Sequence, residues 1–162
     1  MKKLKEYLKP VKLTSLKFKM SFLEAEISFN QNDKDAAWEL YVELITRIVT
    51  QELKLEDGDE KSALQSVYSL FPITREILKR RGRKCIQFSK IAVAVLNQIV
   101  RPFTAKWHKK DLAGAFQNQK ECHSFRKELR ELQKEIQKYT RLLADIAEVE
   151  DLTDIEGDNV GH

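Results

Sequence analysis

Four long stretches of the chain and one short one at its start place apolar residues at helical spacing, and another places them at strand spacing. Over residues 34–54, Ala37, Tyr41, Leu44, Ile45 and Ile48 recur every three or four positions, which predicts a helix. Trp38, Val42 and Val49 widen that stripe beyond one face, so the helix is expected to touch neighbours on two sides. Asn32 or Asp33 is the expected N-cap. A second helix is predicted over 59–81 with Leu64, Val67, Tyr68, Phe71 and Leu78 inward. Pro72 lies inside it, lacks a backbone N–H and crowds the preceding turn, so a kink is expected near Ser69. Lys79, Arg80 and Arg81 followed by Gly82 form a favourable C-terminus.

The third helix, predicted over 84–110, is the most apolar: Phe88, Ile91, Ala92, Val95, Leu96, Ile99, Phe103 and Trp107 leave only a narrow polar edge. It is expected at the centre of the packing. The fourth, over 118–149, repeats Phe125, Leu132, Tyr139 and Ile146 every seven residues with Leu129, Ile136 and Leu143 between them. Such a narrow seam suits either antiparallel packing within the chain or pairing with another chain. Residues 13–29 differ. Leu16, Phe18, Met20 and Phe22 alternate with Lys17, Lys19 and Ser21, then the phase shifts to Leu23, Ala25, Ile27 and Phe29. A period of two predicts strand, and the phase shift predicts a bulge or tight bend. Leu4, Tyr7, Leu8 and Val11 sit at helical spacing before and beyond Pro10, as in a short amphipathic turn or a frayed arm.

The expected fold class is therefore mainly α: an antiparallel four-helix bundle with kinked second and third helices and a short N-terminal β-strand or hairpin arm. The expected divisions are a basic arm (1–30), the helical bundle (31–149) and an acidic tail (150–162). A chain of 162 residues with five glycines and three prolines fits one helical domain with a sizeable core. Its net charge of +4 conceals a polarised layout. Residues 1–20 carry seven lysines and one glutamate, whereas 148–158 carry only acidic charge. No apolar run approaches the ~20 residues of a membrane span, and the lysine-bearing N-terminus lacks the apolar core of a secretory signal. The expected location is the cytoplasm, where Cys85 and Cys122, far apart and in no C-x-x-C pattern, stay reduced.

Association is the function these patterns favour. A lone hairpin is marginal in water, and its open edges invite a strand from another subunit. The expected contact residues are Phe18, Phe22 and Ile27 in the arm and Phe125, Leu132, Tyr139 and Ile146 on the last helix. The leading expectation is a non-enzymatic accessory protein that works through self-association or a partner subunit, with no cofactor, no small-molecule substrate and no membrane contact.

Candidate chemistry is sparse. His108, His123 and His162 share no i,i+4 face, so no metal site is expected, and no phosphate-binding glycine loop or nucleophile elbow occurs. Arg75, Lys79, Arg80, Arg81, Arg83, Lys84 and Lys90 cluster around one helix turn without interleaved aromatics. Of these, Arg80, Arg81, Arg83 and Lys84 are the expected contacts for weak nucleic-acid binding. Leu96-Asn97-Gln98-Ile99-Val100-Arg101-Pro102-Phe103-Thr104-Ala105-Lys106-Trp107-His108 runs from an apolar helix through a proline into Arg, Lys, Trp and His. Its structural reading is a bend at Pro102, an anchor at Trp107 and cationic dipole partners in His108, Lys109 and Lys110.

Arg101 and His108 are seven positions apart, roughly 10 Å along one side of a helix. The spacing resembles the R-x4-6-H pattern of the HEPN helical ribonucleases, although Pro102 follows the arginine where those motifs usually carry a polar residue. That resemblance implies an RNA-binding or RNA-cleaving helical domain in which His108 works on the ribose hydroxyl or leaving group and Arg101 steadies phosphate charge. More broadly, AAWELYVELITRIVTQ, SLFPITREILK, LNQIVRPFTAKWH and ADIAEVEDLTD within residues 35–154 resemble small helical proteins of bacteria. Their association with mobile-element or phage-defence gene neighbourhoods implies an accessory role in antiviral defence.

Overall fold

The computed structural model describes residues 2–9, 24–47, 50 and 59–153. The chain is mainly helical, with one small two-stranded sheet. Strand β1 (Lys2–Lys3) leads into helix α1 (Leu4–Leu8) and pairs antiparallel with β2 (Glu26–Ile27), Lys2 opposite Ile27 and Lys3 opposite Glu26. Leu4, Leu8 and Ile27 are buried, so these N-terminal residues join the core rather than fraying. Strand structure does occur within 24–29, as the alternation predicts, but its partner is the chain start. The expected bend, Phe18 and Phe22 lie outside the described residues.

Helix α2 (Gln31–Ile45) starts at Asn30, two residues before the earliest predicted cap. Asn30 and Asp33 form a reciprocal capping box, each side chain accepting from the other's backbone N–H. The second predicted helix is divided at Ser69 into α3 (Glu60–Tyr68) and α4 (Leu70–Arg81), where the Pro72 rule placed the kink. Gly82, at φ +66°, ends α4 in a conformation that a side chain would strain. A 3-10 turn then leads to α5 (Ile86–Val95), a π-helical turn (Leu96–Val100) and α6 (Arg101–Leu112). Helix α7 (Gln119–Ala147) is capped by Asn118, which accepts from the backbone of Lys120 and Glu121.

The π turn settles the interruption expected at Pro102. Proline would crowd the carbonyl four residues back, and that residue, Gln98, lies in the wider turn. One extra residue per turn also shifts the inward phase. Val100, Phe103 and Trp107 are buried, while Leu96 and Ile99, both predicted inward, are only partly buried.

The broadest helix contact joins α2 to α7. They run antiparallel, since Lys34 meets Glu148 at one end while Gln137 donates to the Thr50 carbonyl at the other. The third predicted helix is therefore not the hub, and Ile86 (53% exposed) and Val93 (45%) leave part of α5 open. Among the described residues, no helix is long and apolar enough to cross a membrane.

Candidate functional site

Trp107 is fully buried and centres an aromatic cluster. Phe125 meets it edge-on at 5.1 Å and Phe116 stacks on it at 6.0 Å. Its indole N–H donates to Glu128 Oε2 (3.0 Å), and Lys106 donates to Oε1 of the same carboxylate (2.5 Å). Burial pushes the Glu128 carboxyl up, but the Lys106 and Trp107 hydrogen bonds outweigh it and hold the group below its ordinary value. Lys110 lies over the indole at 4.8 Å and pairs with Glu121. This half of the RPFTAKWH segment locks α6 onto α7.

The opposite flank of α6 faces α3 and α4. Arg101 is exposed, yet its guanidinium lies over the Phe71 ring at 4.7 Å and its Nε donates to Asn97 Oδ1 at 3.1 Å. Arg75 reaches the same ring at 6.0 Å. One turn earlier on the neighbouring helix, Tyr68 tilts against Phe71 (5.6 Å) and meets the His108 imidazole edge-on at 5.1 Å. Arg101 and His108 therefore share a flank, bridged by two aromatic rings rather than by a hydrogen bond.

The cations around the α4 terminus divide into two groups. Arg80 and Arg81 point toward α2. Arg81 donates through Nε to Glu39 (2.9 Å) and pairs with Asp35 (3.3 Å), and Arg80 is hydrogen-bonded to Glu39. Arg75, Lys79, Arg83 and Lys84 are exposed and have no ion pair among the described residues. Two of the four predicted nucleic-acid contacts, Arg80 and Arg81, are thus already neutralised. The free group is bordered by Tyr68 and Phe71, aromatics that folding brings beside it.

The predicted association seam is spent internally. Phe125, Leu132, Tyr139 and Ile146 are each at most 6% exposed, and Ile27 is 2% exposed. A seam packed by its own chain offers no open apolar surface to a second one. An exposed apolar groove lies on α2 instead. Trp38 (46% exposed) and Val42 (37%) line a groove of about 450 Å³ whose floor and far wall are Ile73 and Ile77 of α4. Trp38 stacks on Tyr41 at 5.9 Å, and Glu39, Glu43, Glu76 and Arg80 edge the groove. Its signal in the sequence was the stripe too wide for one face: α4, α5 and α7 pack against α2 and leave Trp38 and Val42 partly open to solvent.

No protein-family model, curated protein or solved structure matches this chain. Among the described residues, no group of three or more His, Cys, Asp or Glu side chains is gathered as metal ligands would be. Cys85 is buried, and burial raises the Cys122 thiol, which keeps it in its less nucleophilic form.

Proposed function

We propose that this protein acts by assembly, as a non-enzymatic accessory subunit whose α2 face joins a second copy of itself. The observation that carries this reading is the pair Trp38 and Val42, left half open on a helix whose other side is fully packed. Tryptophan and arginine are the residues that most often anchor protein interfaces, and both border this groove. Its rim favours a second copy over a strongly charged partner. Glu39, Glu43 and Glu76 are balanced by Arg47, Arg80 and Arg81, which pair with them. A neutral rim of both signs around an apolar centre suits a two-fold interface, where the same patch must complement itself. In this proposal the fold is a bundle of four antiparallel rods, the second and third each broken, with α2 the rod that serves two interfaces. The resemblance to small bacterial helical proteins fits an accessory place in a defence system.

Light scattering across a concentration series tests the proposal. Wild-type protein is expected to approach dimer mass as concentration rises. Trp38→Glu and Val42→Glu should each give a monomer with an unchanged circular-dichroism spectrum, since neither side chain belongs to the buried core. A wild type that stays monomeric throughout, or a dimer indifferent to both changes, overturns it.

The RNA-cleaving alternative rests on Arg101 and His108 sharing a flank. A general base is normally oriented by a hydrogen bond at its second nitrogen. Among the described residues, His108 has the Tyr68 edge and no such acceptor. RNA cleavage by the wild type that is abolished in both Arg101→Ala and His108→Ala would reverse this ranking.

A further inference from the structure

Helix α4 sorts its cations by flank, and the two flanks differ in chemistry. Toward α2, Arg80 and Arg81 are consumed by Glu39 and Asp35. Toward solvent, Arg75 and Lys79 follow one another at one helical turn, about 6 Å apart, and Arg83 and Lys84, also exposed, follow past Gly82. A merely solvated face would intersperse signs, but Glu76 is the one acid on the exposed side of α4, and it leans 3.6 Å from Arg80.

Arg101 separates this surface from an ordinary basic patch. Its guanidinium is held over the Phe71 ring and tied at Nε to Asn97, while its two terminal nitrogens meet no acceptor among the described residues. Those nitrogens form a two-pronged donor fixed before any ligand arrives. Phe71 is only 3% exposed, so it serves as the platform for Arg101 and Arg75 rather than as a surface for a ligand. Tyr68, beside them, is 45% exposed and retains ring surface beyond its contacts with Phe71 and His108. The arrangement is open and elongated, which suits a chain of anions better than one enclosed phosphate.

We infer that this ridge, Tyr68, Arg75, Lys79, Arg83 and Arg101, binds the phosphate backbone of a single-stranded nucleic acid. Guanidinium forks match phosphate oxygens in pairs, and an exposed tyrosine gives an unstacked base a face to lie on. The tyrosine selects a single strand over a duplex, whose bases are already stacked. Backbone recognition implies no preference between ribose and deoxyribose. None of the five ridge residues lines the Trp38 groove, so this inference stands apart from the proposed assembly.

Fluorescence anisotropy with labelled oligouridylate, oligothymidylate and a matched duplex tests it. Both single strands should bind. With four cations engaged, their affinity should fall about fiftyfold for a fourfold rise in salt. Arg75→Gln or Arg101→Gln should weaken binding severalfold and flatten the salt dependence by about one phosphate. Arg80→Gln removes the same unit of charge from the same helix but should change affinity less than twofold. Arg101→Lys keeps the charge and loses the fork, so it should weaken binding with the salt dependence retained. Tyr68→Ala should cost the single strands about tenfold and leave the duplex unaffected. Circular dichroism on each variant separates lost binding from lost fold. Absence of binding, preference for the duplex, or an Arg80→Gln loss equal to that of Arg75→Gln would each overturn the inference.

Discussion

Asp33 holds two helix starts with one buried carboxylate. Its Oδ2 accepts from the Asn30 backbone and its Oδ1 from the Phe88 backbone in the first turn of α5, each at 3.0 Å. The side chain is fully buried, so both N–H groups would lose their partner together if it were removed. Asp33→Ala is expected to destabilise the protein by about 3 kcal/mol in urea unfolding, the sum of two lost charge-assisted bonds. A loss under about 1 kcal/mol would contradict that role. Tyr139 is the reverse case. Its hydroxyl is buried and has no hydrogen-bond partner among the described residues, and burial drives its ionisation well above the ordinary range. Tyr139→Phe removes only the unpaired hydroxyl, so stability should stay level or rise by up to about 1 kcal/mol. A clear decrease would mean that the hydroxyl is satisfied.

The elements show which parts of the sequence were legible. Helical periods located the four stretches that hold α2 to α7 because each buries one dominant face, and the Pro72 rule found the Ser69 break because a missing N–H is a local fact. The α2 start was misplaced because Asn30, Asn32 and Asp33 are all competent caps and only Asp33's bond to α5 decides among them. Nor does residue spacing alone disclose a π turn, since one inserted residue leaves the flanking periods intact. The cation cluster was legible, but the pairing of Arg80 and Arg81 and the aromatic neighbours were hidden: His108 meets Tyr68 only through α3–α6 packing.

The N-terminal sheet offers a pH test at this same scale. Glu24 accepts from Lys3 (2.6 Å) and Lys5 (2.5 Å), and these bonds lower its carboxyl from 4.5 to about 2. A depressed carboxylate stabilises the fold above its ordinary value and loses that contribution as pH falls from about 4.5 toward about 2. Lys3 is raised by the same bond, so its share is complete below the ordinary lysine value and is lost only as pH rises past the raised one. Carbon-13 titration of the Glu24 carboxyl should place its midpoint near 2, moving upward in Lys3→Ala. A wild-type midpoint near 4.5 would contradict the tie.

For the whole molecule, the decisive question is which apolar surface remains after folding. The seven-residue seam of α7 is used up by the chain's own packing, whereas the second side of α2 is not. The proposed assembly is therefore assigned to the helix with the widest stripe rather than to the helix with the cleanest repeat. The two tryptophans make this testable without a partner or a label, because Trp107 is fully buried and Trp38 is about half open. The most direct measurement is tryptophan emission followed through serial dilution of the wild type and of Trp38→Phe. The wild type should shift to the red on dilution as Trp38 returns to water, while Trp38→Phe, reporting Trp107 alone, should not shift. Wild-type emission independent of concentration, in samples spanning the range where light scattering finds a dimer, would contradict the Trp38 interface.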